Sequence, residues 1–244
     1  MRQLLPEPAE VDPGVAHAAA ARPAPPERPW VLLNMVASVD GATAIDGVSG
    51  GLGGPADKTV FRAIRAVADV IVVAAGTARA EGYGPPRTAP ADQEARRARG
   101  QQAFPRLALV SRSLDLDPTS PMFAEAPEPP LVFTVAGAAP DRHRAVEAVA
   151  EVVVLPGDGV DPVDLLADLH QRGCRVVLAE GGPSLNAQLV AAGVVDEVDL
   201  SLSPMLVGGT SSRVAIGGVE RPADLALAHL WEADGLLFAR YVRA

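Results

Sequence analysis

The chain has 244 residues, 48% of them hydrophobic, 21% charged and 4% aromatic, with a formal net charge of −9. This is the composition of a soluble globular protein with enough chain for one large domain or two small ones. The acidic balance argues against a general nucleic-acid or anionic-membrane binder, and no apolar run approaches the ~20 residues that cross a bilayer.

Residues 1–28 are rich in Pro, Ala and acidic side chains and close with Arg22-Pro23-Ala24-Pro25-Pro26-Glu27-Arg28. They read as a mobile or loosely packed lead-in, with the folded domain expected over 29–244. The segment lacks the apolar core of a signal peptide, so the cytoplasm is the expected location. Residues 30–36 are apolar apart from Asn34 and predict a buried strand, followed by a turn at Ser38-Val39-Asp40-Gly41. Four glycines between Val48 and Pro55 predict a loop. A helix then starts at Pro55-Ala56-Asp57, with Val60, Phe61, Ile64, Val67 and Ala68 on one face. Residues 70–73 form a second buried strand ending at Gly76-Thr77. Prolines and four arginines, Arg87, Arg96, Arg97 and Arg99, make 84–104 an exposed loop with a short charged helix. Strands follow at 107–110, 131–135 and 152–155, with a helix carrying Ala145, Val146 and Val149 and another over 162–171. Cys174 is the only cysteine, which excludes an internal disulfide and a cysteine-based zinc site.

The most telling stretch comes next. The apolar run 175–178 leads into Ala179-Glu180-Gly181-Gly182-Pro183-Ser184-Leu185-Asn186 and then a helix. Glycines let a backbone approach a ligand closely, and the free N–H groups of a first helical turn attract phosphate. The segment is either a dinucleotide diphosphate seat with a carboxylate beside it or a plain strand-to-helix turn with Pro at its first position. Residues 198–203 alternate apolar and polar, and 225–242 form a hairpin about Asp234-Gly235. The whole is an α/β chain: a mixed, mostly parallel sheet with helices on both faces and an antiparallel C-terminal hairpin.

Five separated segments, in order, carry a family likeness: 36–41, 64–69, 73–77, 180–185, and 195–197 followed by 203–209. Over roughly residues 30–243 the chain resembles the pyrimidine reductase domain of riboflavin biosynthesis, a relative of dihydrofolate reductase. The resemblance implies a dihydrofolate-reductase-like fold, NADPH as donor and a homodimer. Its substrate would be 5-amino-6-(5-phosphoribosylamino)uracil, reduced to the ribitylamino product. No zinc-deaminase signature is present, so deamination would fall to another protein. A pterin such as dihydrofolate is the alternative substrate, and NADP binding without turnover the alternative role.

The resemblance also implies a site. Gly76, Thr77 and Glu81 would contact the cofactor, although Thr77 also suits a helix cap. Gly181, Gly182, Pro183, Ser184 and Leu185 would hold the diphosphate, and Val36 and Ala37 would lie near the nicotinamide. The hydroxyl of Ser111 beside the Arg112 guanidinium suits the 2′-phosphate that distinguishes NADP. Ser49, Arg65 and Arg87 align with substrate-binding positions. Glu180 would bind the pyrimidine ring or deliver a proton, with Asp40 the second catalytic candidate unless it only makes an Asp-Gly turn. The chain departs from the family before Arg87, where Glu81-Gly82-Tyr83-Gly84-Pro85-Pro86 replaces an Asp-Asp-Pro-x-Leu-like lid, and near Gly51, where an aromatic is missing. The four histidines are scattered, so no metal and no triad are assigned.

Overall fold

In the computed structural model, which describes residues 1–244, the chain begins with β1 (Arg2–Leu5), β2 (Ala9–Glu10) and α1 (Pro13–Ala19). It continues through β3 (Trp30–Ser38), α2 (Pro55–Arg65), β4 (Val70–Ala74), α3 (Ala75–Ala80), α4 (Pro90–Ala98) and β5 (Arg106–Val110). Next come α5 (Pro121–Ala124), β6 (Leu131–Val135), α6 (Pro140–Glu147), β7 (Glu151–Leu155), α7 (Pro162–Gln171) and β8 (Val176–Ala179). The chain ends with α8 (Pro183–Ala192), β9 (Glu197–Ser203), β10 (Leu225–Ala233) and β11 (Leu236–Arg243). All strands join one sheet in the order β2-β1-β10-β11-β9-β3-β8-β4-β5-β6-β7. From β9 to β7 every neighbouring pair is parallel; from β9 outward through β11, β10 and β1 every pair is antiparallel.

The near-continuous apolar runs exist because the central strands are buried on both faces. Successive side chains alternate between two cores. Leu32, Ile71, Val73 and Leu178 point into one, which α2 covers with Val60 and Ile64 and α6 with Val146. Val31, Leu33, Val70, Val72 and Val177 point into the other, covered by Leu165 and Leu169 of α7 and Leu185 and Leu189 of α8. The expected mixed sheet with helices on both faces and a terminal hairpin is what the chain forms. Helix α7 takes the expected 162–171 because Asp161 accepts from the Val163 N–H and Pro162 fills the first position. No helix is long and apolar enough to cross a membrane.

Two expectations are corrected. Residues 1–28 do not pack loosely. Strand β1 pairs with β10, and His17 on α1 is buried. Arg28 grips Asp196 through both oxygens, at 2.5 and 2.7 Å. Arg22 reaches the fully buried Glu197 at 3.0 and 2.8 Å, where Arg240 (2.7 and 3.1 Å) and the Trp30 indole (2.9 Å) also donate. Burial alone would raise the Glu197 pKa, but the two guanidiniums outweigh it and bring it down to about 2. The segment is therefore clasped to the sheet by charge in a dry setting. The second correction concerns 84–104. Arg96 on α4 is buried, and its guanidinium caps the carbonyls of Ala66 (3.1 Å) and Ala68 (2.6 Å) beyond the end of α2.

The histidines are not all scattered in space. His17, His229 and Asp199 bring ligating atoms within 4.8 Å of one another. Arg22 Nη2 lies 3.3 Å from His17 Nδ1, and a guanidinium can only donate, so Nδ1 accepts and the proton sits on Nε2. That N–H and Asp199 Oδ2 are both buried and without a protein partner. They are a matched donor and acceptor beside a cavity of about 10 Å³, room for one water.

Candidate active site

A cavity of about 500 Å³ opens at the carboxyl ends of β3, β4 and β8, where open α/β sheets bind their ligands. Its floor includes Asn34 and Val36 at the end of β3; its walls are the first turns of α2, helix α3, the 83–85 segment and the start of α8. Glu180 follows β8 and is 6% exposed. Arg65, from the last turn of α2, donates to both its oxygens at 2.7 and 2.6 Å. The Tyr83 hydroxyl adds a third bond at 2.7 Å. The guanidinium also stacks on Phe61, 4.2 Å from the ring centroid. Burial pulls the Arg65 pKa down, yet the charge and hydrogen bonds of Glu180 leave it raised. Burial, then the Glu180 charge, push the Tyr83 phenol well above its usual range, so it stays a donor.

Beside this trio stands the glycine turn. Gly181 has φ +89°, a left-handed conformation that favours glycine, and its carbonyl accepts from the Ala74 N–H at 2.7 Å. The Gly181–Gly182 peptide is cis. A Cβ on Gly182 would sit 2.4 Å from Thr77 Oγ1, so only glycine leaves room between this turn and α3. Gly182 caps α8, Pro183 takes the first helical position, and the next N–H groups have no intrahelical acceptor. This cradle fits a diphosphate.

The structure brings together Val36, Ser49, Arg65, Gly76, Thr77, Glu81, Glu180, Gly182 and Pro183 around one cavity. Glu81 also braces the wall, because its carboxylate accepts from the Ser49 N–H at 2.7 Å and ties the glycine loop to α3. Gly181 and Leu185 are buried behind the cavity wall, Ala37 is buried below it, and Ser184 is exposed on the first turn of α8. Ser111 and Arg112 follow β5, two strands from β8, on the same rim of the sheet but outside the cavity.

Two expected residues are placed elsewhere. Arg87 is exposed and pairs with Glu125 at 2.6 Å, away from the cavity. Asp40 also lies outside it and is exposed; it accepts from Ser38 Oγ (2.5 Å), the Gly208 N–H (2.7 Å) and the Val207 N–H (3.1 Å). Those bonds, the Ser38 one foremost, lower its pKa to about 2. It is an anchor for the 203–209 loop, in keeping with the turn reading. The cavity residues not anticipated as such include Asn34, Asp57, Lys58 and Tyr83. Asp57 and Lys58 were legible only as the first turn of a helix. Tyr83 stands where the lid sequence departs from the family, and that departure was its one signal.

A model of the RibD C-terminal domain matches residues 29–236. The chain belongs to this family. A 2,5-diamino-6-ribosylamino-4(3H)-pyrimidinone 5′-phosphate reductase from Methanothermobacter thermautotrophicus is 30% identical over 206 residues, 81% of this chain and 88% of that protein. The protein of the same description from Aquifex aeolicus is 31% identical over 198 residues, 79% of this chain and 84% of its own length. Among solved structures, a pyrimidine reductase-like protein from Corynebacterium diphtheriae superposes with a TM-score of 0.85 at 29% identity, covering 96% of this chain and 99% of that one. This member of the RibD C-terminal family is thus a riboflavin-biosynthesis type of reductase, and the family implies a nicotinamide cofactor.

Proposed function

We propose that the cavity reduces the ribosyl C1′ of a phosphorylated ribosylaminopyrimidine to the ribityl level, with NADPH as reductant. The observation that carries this is the pinned Glu180 carboxylate, set between an anion cradle and a cation-bearing wall. A carboxylate offers about four acceptor positions, and three are taken, which leaves one for a ring N–H of the pyrimidine. Thr77, Gly76 and the 181–185 turn would hold the diphosphate, Val36 would back the nicotinamide, and Ser111 with Arg112 would take the 2′-phosphate. When bound, the cofactor supplies the two-electron equivalent. The protein holds C1′ in line with it. Arg65 serves by fixing Glu180, and Ser49 lines the substrate end. Lys58 is the one cation on the cavity wall with no carboxylate partner, and it is free to meet the substrate phosphate. The reading includes a homodimer, as the resemblance implies, in the cytoplasm.

The relatives similar over most of their length are named for the 2,5-diamino substrate, so that form is tested first and the deaminated uracil second. The two differ at one ring carbon and share the reacting C1′. NADPH absorbance loss is followed with each, and with dihydrofolate in parallel. Oxidation with either ribosylaminopyrimidine supports the reading; oxidation with dihydrofolate alone overturns it.

A further inference from the structure

Three carboxylates line the cavity: Asp57, Glu81 and Glu180. Two are committed. Glu180 accepts three hydrogen bonds from Arg65 and Tyr83, and Glu81 accepts the Ser49 N–H. Asp57, in the first turn of α2, has no ion pair, and the Ser201 side chain of β9 lies beside it. Its Oδ2 lies where position 53 would place a side chain: a Cβ on Gly53 would come within 2.4 Å of it. A residue without a side chain is thus required at 53 if the carboxyl is to hold this place. Reduction at C1′ must also release the sugar ring oxygen, which leaves as an alkoxide unless a proton meets it.

From this geometry we infer that Asp57, and not Glu180 or Asp40, is the catalytic proton donor. The inference rests on the proposed function above. A reduced nicotinamide held in the cavity would supply two electrons and a hydrogen to C1′, making a C–H bond. The C1′–O4′ bonding pair goes to O4′, and the Asp57 proton turns O4′ into a hydroxyl. The pyrimidine amine nitrogen keeps its own hydrogen. Solvent entering the open cavity restores the proton to Asp57. Burial raises the Asp57 pKa above its usual value, against the opposing influence of the Ser201 side chain and the Lys58 charge, so the proton is retained closer to neutrality.

The test combines turnover with substrate binding measured in the absence of NADPH. Asp57→Asn is expected to lower kcat by roughly 100- to 1000-fold, the usual share of a general acid. Its substrate Kd and its melting temperature should stay near the wild-type values, and Asp57→Glu should restore at least a tenth of the lost rate. Gly53→Ala keeps the carboxyl but displaces it, and should lower kcat in the same direction; it also serves if Asp57→Asn does not fold. Retention of more than half of kcat in either variant overturns the inference, as does a loss in Asp57→Asn that lies wholly in substrate Kd. A wild-type protein inactive on both ribosylaminopyrimidines overturns the functional reading instead, and the assignment of Asp57 with it.

Discussion

Glu180 and Glu197 are the same side chain held by the same kind of partner, yet they serve different ends. Glu197 is fully buried and receives five hydrogen bonds, two each from Arg22 and Arg240 and one from Trp30. Every lone pair is taken, and the cavity beside its neighbour Asp199 has room for one water. Glu180 receives three, from one arginine and one phenol, and its neighbours open onto about 500 Å³. A saturated carboxylate in a dry place holds the chain together; an incompletely saturated one at a cavity can hold a ligand. Access and spare acceptor capacity, not charge, separate the two.

The largest test of that contrast is Arg240→Ala. It leaves Glu197 buried with its charge half compensated, and unfolding free energy in urea should fall by about 3–5 kcal/mol. Protein that remains folded should turn over within about twofold of wild type, and a loss of activity larger than the loss of stability would erase the distinction. Glu180→Gln should behave in the opposite way. We expect kcat/KM to drop at least 100-fold, about 2.7 kcal/mol of transition-state binding, with a melting temperature shifted by only a few degrees. Arg112→Ala adds an exposed guanidinium in neither cluster. NADPH binding should weaken by roughly 10- to 150-fold and NADH binding hardly at all, as titration of each cofactor would show; equal losses would refute the 2′-phosphate role.

The pH response sharpens the comparison further. Burial, then the Arg22 charge, lower the His17 pKa to about 3, below the 6.5 of an unfolded histidine. The unfolded chain thus binds the extra proton between those values, so this contribution to stability is complete above pH 6.5 and is lost as pH falls. Asp199, held above the usual carboxylate range by burial and the Glu197 charge, acts in the opposite sense but is common to both proteins compared. Between pH 6.5 and 4.5 the wild type should lose about 1.4 kcal/mol per pH unit more than His17→Asn in urea titrations. The smallest effect is Tyr83→Phe. One of three bonds to Glu180 goes, and kcat/KM should fall about fivefold, with NADPH affinity unchanged by the same titration.

Much of the fold was legible because its signals are local. Apolar runs marked the doubly buried strands, Pro162 marked the start of α7, and the 180–185 turn marked one wall of the cavity. The clasp was not, because Arg22 meets Glu197 across 175 positions of sequence and leaves no periodic trace. Proline and alanine in 1–28 suggested looseness, while two arginines and a histidine decided otherwise. Arg96 misled for a related reason: its charge suggested solvent, but carbonyls left open beyond α2 receive it. At the site, Glu180 was identified through the glycines beside it. Tyr83 and Asp57 needed the third dimension, since one closes on a strand end 97 residues away and the other on the space left by Gly53.

The strand order has a consequence in time. Strand β3 lies between β8 and β9, and both are made long after it, at 176–179 and 197–203. On a ribosome adding ~5–20 residues per second, the central strand waits roughly 10–30 s for a neighbour. During that interval an apolar segment is exposed with both edges open, so a chaperone that shields nascent apolar chain should matter more to the yield of this protein than to its final stability.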